Sequence, residues 1–321
     1  MKTIYLCEKA ENIARIYQTN APVYTKADIL DRPEAFRDTA CIFSTWGMPE
    51  FTEEEIRRCL SGLKAVFYGA GTVQAFARPF LNCGVKVFSA WAANAVPVAE
   101  YTVAQIILAN KGFFGSSRMH KAGDHLQALD YFYSFPGNYN TKIGIIGAGM
   151  VGKLVIQMLR AYKLEVLVFD PFLPDEKAAE LGVKKCDLQT LFAECSVVSN
   201  HLANNEQTKG MLRCEHFRAM RPYATFLNTG RGAQVVEDDL AQALLERPDL
   251  TAILDVTDPE PPTEGHPFYV LPNCILTPHI AGSEGNEVQR MGEYMQQEYE
   301  NFAQGRPTRY EVTAEMLKTM A

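Results

Sequence analysis

The chain of 321 residues has no surplus of positive charge: 31 lysines and arginines against 38 acids leave a formal charge of −7. Nor do its basic residues cluster, which argues against a polyanion-binding surface, so no nucleic-acid partner is expected. No apolar run is read as approaching the roughly 20 residues of a spanning helix, and no membrane partner is expected. The opening MKTIYLCEKAENIAR turns charged after one short apolar run, which does not read as a secretory signal. Eight cysteines (Cys7, Cys41, Cys59, Cys83, Cys186, Cys195, Cys214, Cys274) are scattered without CxxC or finger spacing. Neither a metal site nor a disulfide framework is indicated, and the thiols read as reduced and mostly buried. Internal repeats and low-complexity tracts are missing. These absences, with 47% hydrophobic and 21% charged residues, lead to the expectation of a soluble cytoplasmic globular protein.

What is present is alternation. A chain of this length exceeds the size at which one core stops growing, so two domains are expected. In the first hundred residues, Thr3–Cys7, Cys41–Ser44, Ala65–Tyr68 and Lys86–Ser89 read as strands, with helices at Glu53–Cys59 and Ala75–Leu81. That pattern predicts a parallel sheet covered on both faces. Ala95–Asn110 reads as one long helix, and Gly112–Asn140 as an aperiodic surface connection. From Lys142 the alternation restarts, with strands at Lys142–Ile146, Glu165–Phe169, Val197–Asn200, Ala224–Leu227, Ala252–Leu254 and Cys274–Leu276. Intervening helices make this a Rossmann unit of six strands. The last helix, Asn286–Ala303, falls outside that unit and is expected to return to the first domain.

One segment carries chemistry on its face. Lys142–Gly152 reads KIGIIGAGMVG, a strand opening into Gly147-x-Gly149-x-x-Gly152, and Asp170 lies 18 residues after the last glycine. The glycines permit a tight turn, close approach of pyrophosphate and helix–strand packing; an acid about 20 residues on binds ribose hydroxyls. The helix N-terminus then offers amides and a positive dipole end to phosphate. After Asp170 come Pro171, Phe172 and Leu173, with no arginine to receive a 2′-phosphate, so NAD is expected over NADP.

Ligands of a doubly wound sheet sit beyond the carboxyl ends of its strands. There the sequence puts Asp170, Asn200 with His201, Thr229–Arg231, Asp255, and Pro278 with His279, and Glu260 follows in a proline-rich loop. Arg231, Glu260 and His279 form a chemical set. A guanidinium clamps the oxygens of a 2-keto acid, and an imidazole exchanges the carbonyl proton. A carboxylate on the other ring nitrogen fixes the tautomer and supports the imidazolium. Taken singly, each residue also fits a surface or turn position. His120, His125, His216 and His266 show no partner pattern and read as surface or loop histidines.

These motifs resemble the D-isomer-specific 2-hydroxyacid dehydrogenases over nearly the whole chain. The anchors are VAEYT (Val98–Thr102), GIIGAGMVG (Gly144–Gly152), SNHLANNEQTKGML (Ser199–Leu212), FLNTGRGAQVVEDDL (Phe226–Leu240), LDVTDPEPP (Leu254–Pro262) and LTPHIAGS (Leu276–Ser283). The resemblance implies an α/β fold of two doubly wound domains. A Rossmann NAD-binding domain (97–284, with the inter-domain helix and the 112–140 connection) is inserted into a flavodoxin-like substrate domain (1–96 and 285–321). It implies catalytic roles for Arg231, Glu260 and His279. Gly147, Gly149, Met150, Val151, Gly152, Asp170, Leu202, Ala203, Thr208, Thr229 and Asp255 would meet the cofactor, with Asp255 on the nicotinamide carboxamide. His201 matches a position near the cofactor and is not read as catalytic. Ala70 and Gly71, in FYGAGTVQAF (Phe67–Phe76), would receive the substrate carboxylate beside Arg231.

Two departures from the family pattern stand out: Val73 and Phe76 replace the usual aspartates of that loop, and His201-Leu202-Ala203 replaces HxP, loosening a turn beside the cofactor. STWGMP (Ser44–Pro49) carries no cation and points to an unphosphorylated 2-keto acid. Its Trp46 either faces the substrate or packs a core or dimer contact. The activity expected is NAD-dependent hydride transfer to or from C2 of a small 2-hydroxy or 2-keto acid, with a hinge closing over it. The alternative is a non-catalytic NAD(H) sensor of corepressor type; a hydrolase or racemase lacks the extra cysteine or lysine chemistry. Family likeness further implies a homodimer formed through the NAD-binding domain and the 112–140 segment, with Tyr131, Phe132, Tyr133 and Phe135 as candidate contacts.

Overall fold

A computed structural model describes residues 1–318. The chain divides into two compact units, Met1–Asn94 with Ser283–Ala321, and Ala95–Gly282; both boundaries lie two residues before those read from the sequence.

In the first unit, strands β1 (Thr3–Leu6), β2 (Val23–Tyr24), β3 (Cys41–Ser44), β4 (Ala65–Tyr68) and β5 (Lys86–Ser89) pair in parallel in the order β2-β1-β3-β4-β5. Glu311–Val312 adds an antiparallel edge to β5. Every residue of β3 and β4 is buried, the signature of a sheet covered on both faces. Ile4, Leu6, Ile42, Val66 and Val87 fill one face. On the other, Phe43, Phe67 and Phe88 stack under Met291 and Met295 of helix Val288–Ala303. Gly292 lets that helix close on helix Ala10–Tyr17, since a Cβ there would collide with the Ile16 carbonyl. Strand order reverses between β1 and β3, so the crevice of this sheet opens at their carboxyl ends.

The second unit has seven parallel strands: β6 (Lys142–Ile146), β7 (Glu165–Phe169), β8 (Lys184–Lys185), β9 (Val197–Asn200), β10 (Thr225–Asn228), β11 (Thr251–Leu254) and β12 (Cys274–Leu276). Their order is β8-β7-β6-β9-β10-β11-β12, which reverses between β6 and β9. The strand beyond the expected six, β8, is two exposed lysines at the edge, too short and polar for a hydrophobic pattern to reveal. Helix Met150–Leu159 buries Gly152, Val155, Ile156 and Leu159, one stripe at helical spacing, among residues of β6, β7 and β9.

Two expectations are corrected here. Gly112–Asn140 is no aperiodic connection: it holds helices Phe113–Lys121 and His125–Tyr133. Their apolar stripes are weak because Gly115 takes the place of a side chain, and a Cβ there would collide with the Tyr131 ring. Tyr131 and Phe135 pack against Tyr223 inside this unit, whereas Phe113, Leu126 and Tyr133 are exposed. The second correction concerns helix Trp91–Ala109. With 19 residues it is long and apolar enough, by length and composition, to cross a membrane. Its Ala99, Val103, Ile106 and Ala109 are buried among residues of the second unit's sheet, while Leu108 is exposed.

Candidate active site

The three glycines of the β6 turn differ in what surrounds them. Gly147 has φ +88°, and a Cβ would come within 2.8 Å of the His201 carbonyl oxygen. A Cβ on Gly152 would collide with the Gly147 carbonyl, so helix and turn close directly on each other. Gly149 has nothing within 4 Å of that position, and no side chain caps the helix it begins. Two glycines thus shape the turn, and the third opens it toward an anion with uncapped amides behind. Met150, exposed, and Val151, half-buried, occupy the first two helical positions. Asp170 braces the same turn: Oδ2 accepts from the Ala148 amide and Oδ1 from the Phe172 amide, both at 2.8 Å. Each oxygen keeps a lone pair for a ribose hydroxyl. The residues present therefore fit an adenine dinucleotide.

Beyond β9, His201 is buried and hydrogen-bonded to Ser199 Oγ at 2.9 Å. Burial lowers its pKa to about 3, so it is neutral and has no acid/base role at ordinary pH. Leu202 and Ala203 follow, half-buried, and Thr208 donates to the Ala203 carbonyl at 2.6 Å. Thr229, after β10, meets Thr102 through their hydroxyls at 3.2 Å.

His279 and Glu260 are in contact, and Arg231 lies within the field of the same carboxylate. His279 Nδ1 lies 2.7 Å from Glu260 Oε1. An ionised carboxylate only accepts, so Nδ1 carries the hydrogen and Nε2 is left for chemistry. Burial lowers the Arg231 pKa, and the Glu260 charge opposes that effect, so guanidinium and carboxylate feel each other's field. Arg231 also donates from Nη1 to the Gly230 carbonyl at 2.7 Å.

The backbone at His279 is left-handed, φ +55°, which is unfavourable for any residue with a Cβ. Asp255 holds it there. Its carbonyl accepts from the His279 amide at 3.0 Å; Oδ1 accepts from Thr277 Oγ1 at 2.6 Å and Ile280 N at 2.8 Å, and Oδ2 from Ala281 N at 2.9 Å. Four bonds from one 2%-exposed residue over-determine the loop. One lone pair of Oδ2 remains for an amide.

In the first unit, Trp46 and Ala70 each stand two residues past the paired ends Ser44 and Tyr68 of neighbouring strands. Thr45 Oγ1 donates to the Gly69 carbonyl at 2.9 Å, tying the two loops. The carbonyls of Ala70 and Gly71 are taken by Ser89 Oγ. Trp46 is 38% exposed beside the β1/β3 reversal, and Cys7 and Asn12 hold its carbonyl. Val73 and Phe76 are buried in the core, Phe76 against Tyr68, so neither presents a side chain where the family's aspartates are expected.

Sequence reasoning missed three buried amides. Asn200, Asn228 and Gln234 form one hydrogen-bonded chain. A glutamine inside the apolar run after GRG was the available signal. It also missed a partner for His266, whose side chain is buried 3.8 Å from Glu237. Burial raises the Glu237 carboxyl to about 7, and its Oε1 holds the Asp258 amide at 2.8 Å. His120 and His125 are an exposed pair. Among the described residues no group of three or more His, Cys, Asp or Glu is placed to hold a metal.

Residues 103–281 match the sequence family described as D-isomer specific 2-hydroxyacid dehydrogenase, NAD binding domain. A D-3-phosphoglycerate dehydrogenase of Archaeoglobus fulgidus is 31% identical over 226 residues, covering 70% of this chain and 42% of that one. The Bacillus subtilis protein named "Putative 2-hydroxyacid dehydrogenase YoaD" is 34% identical over 207 residues, 62% of this chain and 58% of its own. The chain thus spans about half the length of these curated relatives. The structure of apo D-mandelate dehydrogenase from Rhodotorula graminis has the same fold, with a TM-score of 0.80 over 97% of each chain at 18% identity.

Proposed function

The chain belongs to the D-isomer specific 2-hydroxyacid dehydrogenase family, and we propose that it interconverts a small 2-keto acid and its 2-hydroxy acid with NAD(H). The observation that carries this reading is the Glu260 carboxylate: it bonds the His279 imidazole at 2.7 Å and its charge is felt at Arg231, within an NAD-binding domain. Bound reduced nicotinamide supplies the hydride. Arg231, half-buried, clamps the substrate carboxylate and carbonyl oxygens with two parallel N–H bonds. His279 gives its Nε2 proton to the carbonyl oxygen as C2 is reduced and recovers one in the reverse direction. Glu260 fixes the ring and balances the charge that the imidazolium carries. Asp255 keeps the histidine loop in place and has one lone pair left for a carboxamide.

We further propose that the substrate is unphosphorylated and that Trp46, Ala70 and Gly71 contact it. Support comes from the crevice rule, which singles out the β1/β3 ends where Trp46 stands, and from a segment Ser44–Pro49 without a cation. A homodimer seated on the 113–133 hairpin is proposed from its exposed Phe113, Leu126 and Tyr133; a monomer in light scattering would refute it.

Loss of NADH absorbance with a panel of keto acids tests the activity. Oxidation with pyruvate, glyoxylate, hydroxypyruvate or a branched keto acid supports the proposal, and a strong preference for 3-phosphohydroxypyruvate defeats its substrate half. NADH binding with no turnover on any of them would favour the non-catalytic sensor.

A further inference from the structure

The stretch His201–Gly210 leaves β9 with no proline to stiffen it. At Leu202–Ala203 it is held by side-chain amides, together with Thr208 Oγ1 on the Ala203 carbonyl. Gln234, fully buried, donates from Nε2 to the carbonyls of Leu202 at 2.7 Å and Ala203 at 3.0 Å. Its Oε1 accepts from Asn200 Nδ2 at 2.6 Å and from the Arg231 amide at 3.2 Å. Asn200, also fully buried, gives its other Nδ2 hydrogen to Asn228 Oδ1 at 3.0 Å and accepts from the Leu202 amide at 3.2 Å. Asn228 completes the chain, accepting from the Gly230 amide at 3.0 Å and donating to the Arg231 carbonyl at 3.1 Å. Every position of the Gln234 amide is used. Turned over, its NH2 would meet the Asn200 NH2 and the Arg231 N–H, so its orientation is fixed. Gly230 leaves the room: a Cβ there would stand 2.9 Å from Gln234 Oε1 and 3.0 Å from Asn200 Nδ2.

We propose that Gln234 is a positioning residue: its one amide holds the backbone of Arg231 and the Leu202–Ala203 wall of the cofactor cleft in a single piece. The inference rests on the reading of Arg231 and of this cleft given above. A buried, fully paired amide is sensitive to the loss of any partner. Gln234→Leu keeps similar bulk but strips the two carbonyls, the Arg231 amide and Asn200 of a partner at once. His279 and Glu260 are in a different hydrogen-bonded group, so the chemical step itself is spared.

The experiment compares Gln234→Leu, Asn200→Leu and the double variant by melting temperature, NADH affinity from fluorescence, and keto-acid kinetics. Gln234→Leu is expected to bind NADH about tenfold more weakly and to raise the keto-acid KM, with kcat at saturation little changed. Replacing both amides removes two stranded groups together, so the double variant regains part of the lost melting temperature. Its NADH affinity is expected to stay weak, because no side-chain amide then ties Leu202–Ala203 to the Arg231 loop. If Gln234→Leu does not fold, Gln234→Glu keeps an acceptor at Oε1 but sets a carboxylate oxygen against the Leu202 and Ala203 carbonyls, and is expected to show the same weakened NADH binding. Full NADH affinity in a folded Gln234 variant overturns the proposal. So does a double variant in which stability and affinity recover together, the behaviour of a merely structural amide. A wild-type chain that binds no NADH would instead break the underlying reading; one that binds NADH but reduces no keto acid leaves the affinity comparison to decide.

Discussion

The two sheets end in loops of opposite character. After β6, β9, β10, β11 and β12 the loops are cross-linked by buried or half-buried polar side chains, with Asp170, Asn200, Asn228, Gln234 and Asp255 each fixing backbone amides or carbonyls. After β3 and β4 the loops carry Trp46, Met48, Val73 and Phe76, held mostly by packing and by hydroxyl-to-carbonyl bonds. In the proposed reading, the difference follows from what each recognises. Ribose, pyrophosphate and a proton in transit need oriented dipoles and charges, and these are reliable only when buried and over-determined. A substrate side chain of modest polarity needs shape, which apolar residues supply and change readily. In the proposed reading, chemistry is concentrated in one unit and selectivity in the other.

That contrast is open to attack, most strongly at the polar end. Arg231→Gln is expected to lower kcat/KM about 10²- to 10³-fold while leaving NADH affinity within about twofold, since a bidentate charged clamp is lost. An equal loss of NADH binding would mean that the arginine serves the cofactor loop and not the substrate. Next comes Asp170→Ala, expected to weaken NADH about tenfold to hundredfold and to narrow the preference over NADPH, because both the ribose acceptor and its repulsion of a 2′-phosphate disappear. Unchanged discrimination in competitive kinetics would remove Asp170 from that role. At the apolar end, Trp46→Ala is expected to alter the ranking of keto acids by about tenfold, with NADH affinity untouched. An unaltered ranking would remove Trp46 from the proposed substrate contacts.

The smallest effect tests a support beneath Glu260. Burial raises the Glu237 carboxyl to about 7 from its ordinary 4.5, so the folded protein holds a proton that the unfolded chain has already released. The stabilisation from that protonated form is complete below about pH 4.5 and lost as pH rises through 7. Glu237→Gln keeps the acceptor for the Asp258 amide and stays neutral. It should match wild type near pH 5 and be more stable by about 1 to 3 kcal/mol at pH 8, a few degrees in Tm. Parallel pH profiles for the two proteins would sink this account.

The same contrast governs what could be read from the sequence. Strands β1, β3 to β7 and β9 to β12 were legible to within a residue, because strands of a covered parallel sheet are largely apolar runs. The helical hairpin 113–133 was not, because its stability comes from aromatic rings seated over Gly115 and against Tyr223 rather than from a periodic stripe. Glycines and strand-end acids announced the site through spacing. Two histidines after strands looked alike as letters, but burial makes His201 neutral while Glu260 partners the exposed His279. Gln234 was silent because its partners lie on a loop that only the folded sheet brings beside it.

The most direct test of the central claim pairs His279→Gln with wild type, recording NADH oxidation with an accepted keto acid and NADH affinity by fluorescence. The account predicts turnover lowered about a thousandfold or more with affinity unchanged, since the proton donor is gone and the dinucleotide site is intact. Turnover close to wild type in the variant would contradict it, because the proton would then come from a group other than the imidazole on Glu260.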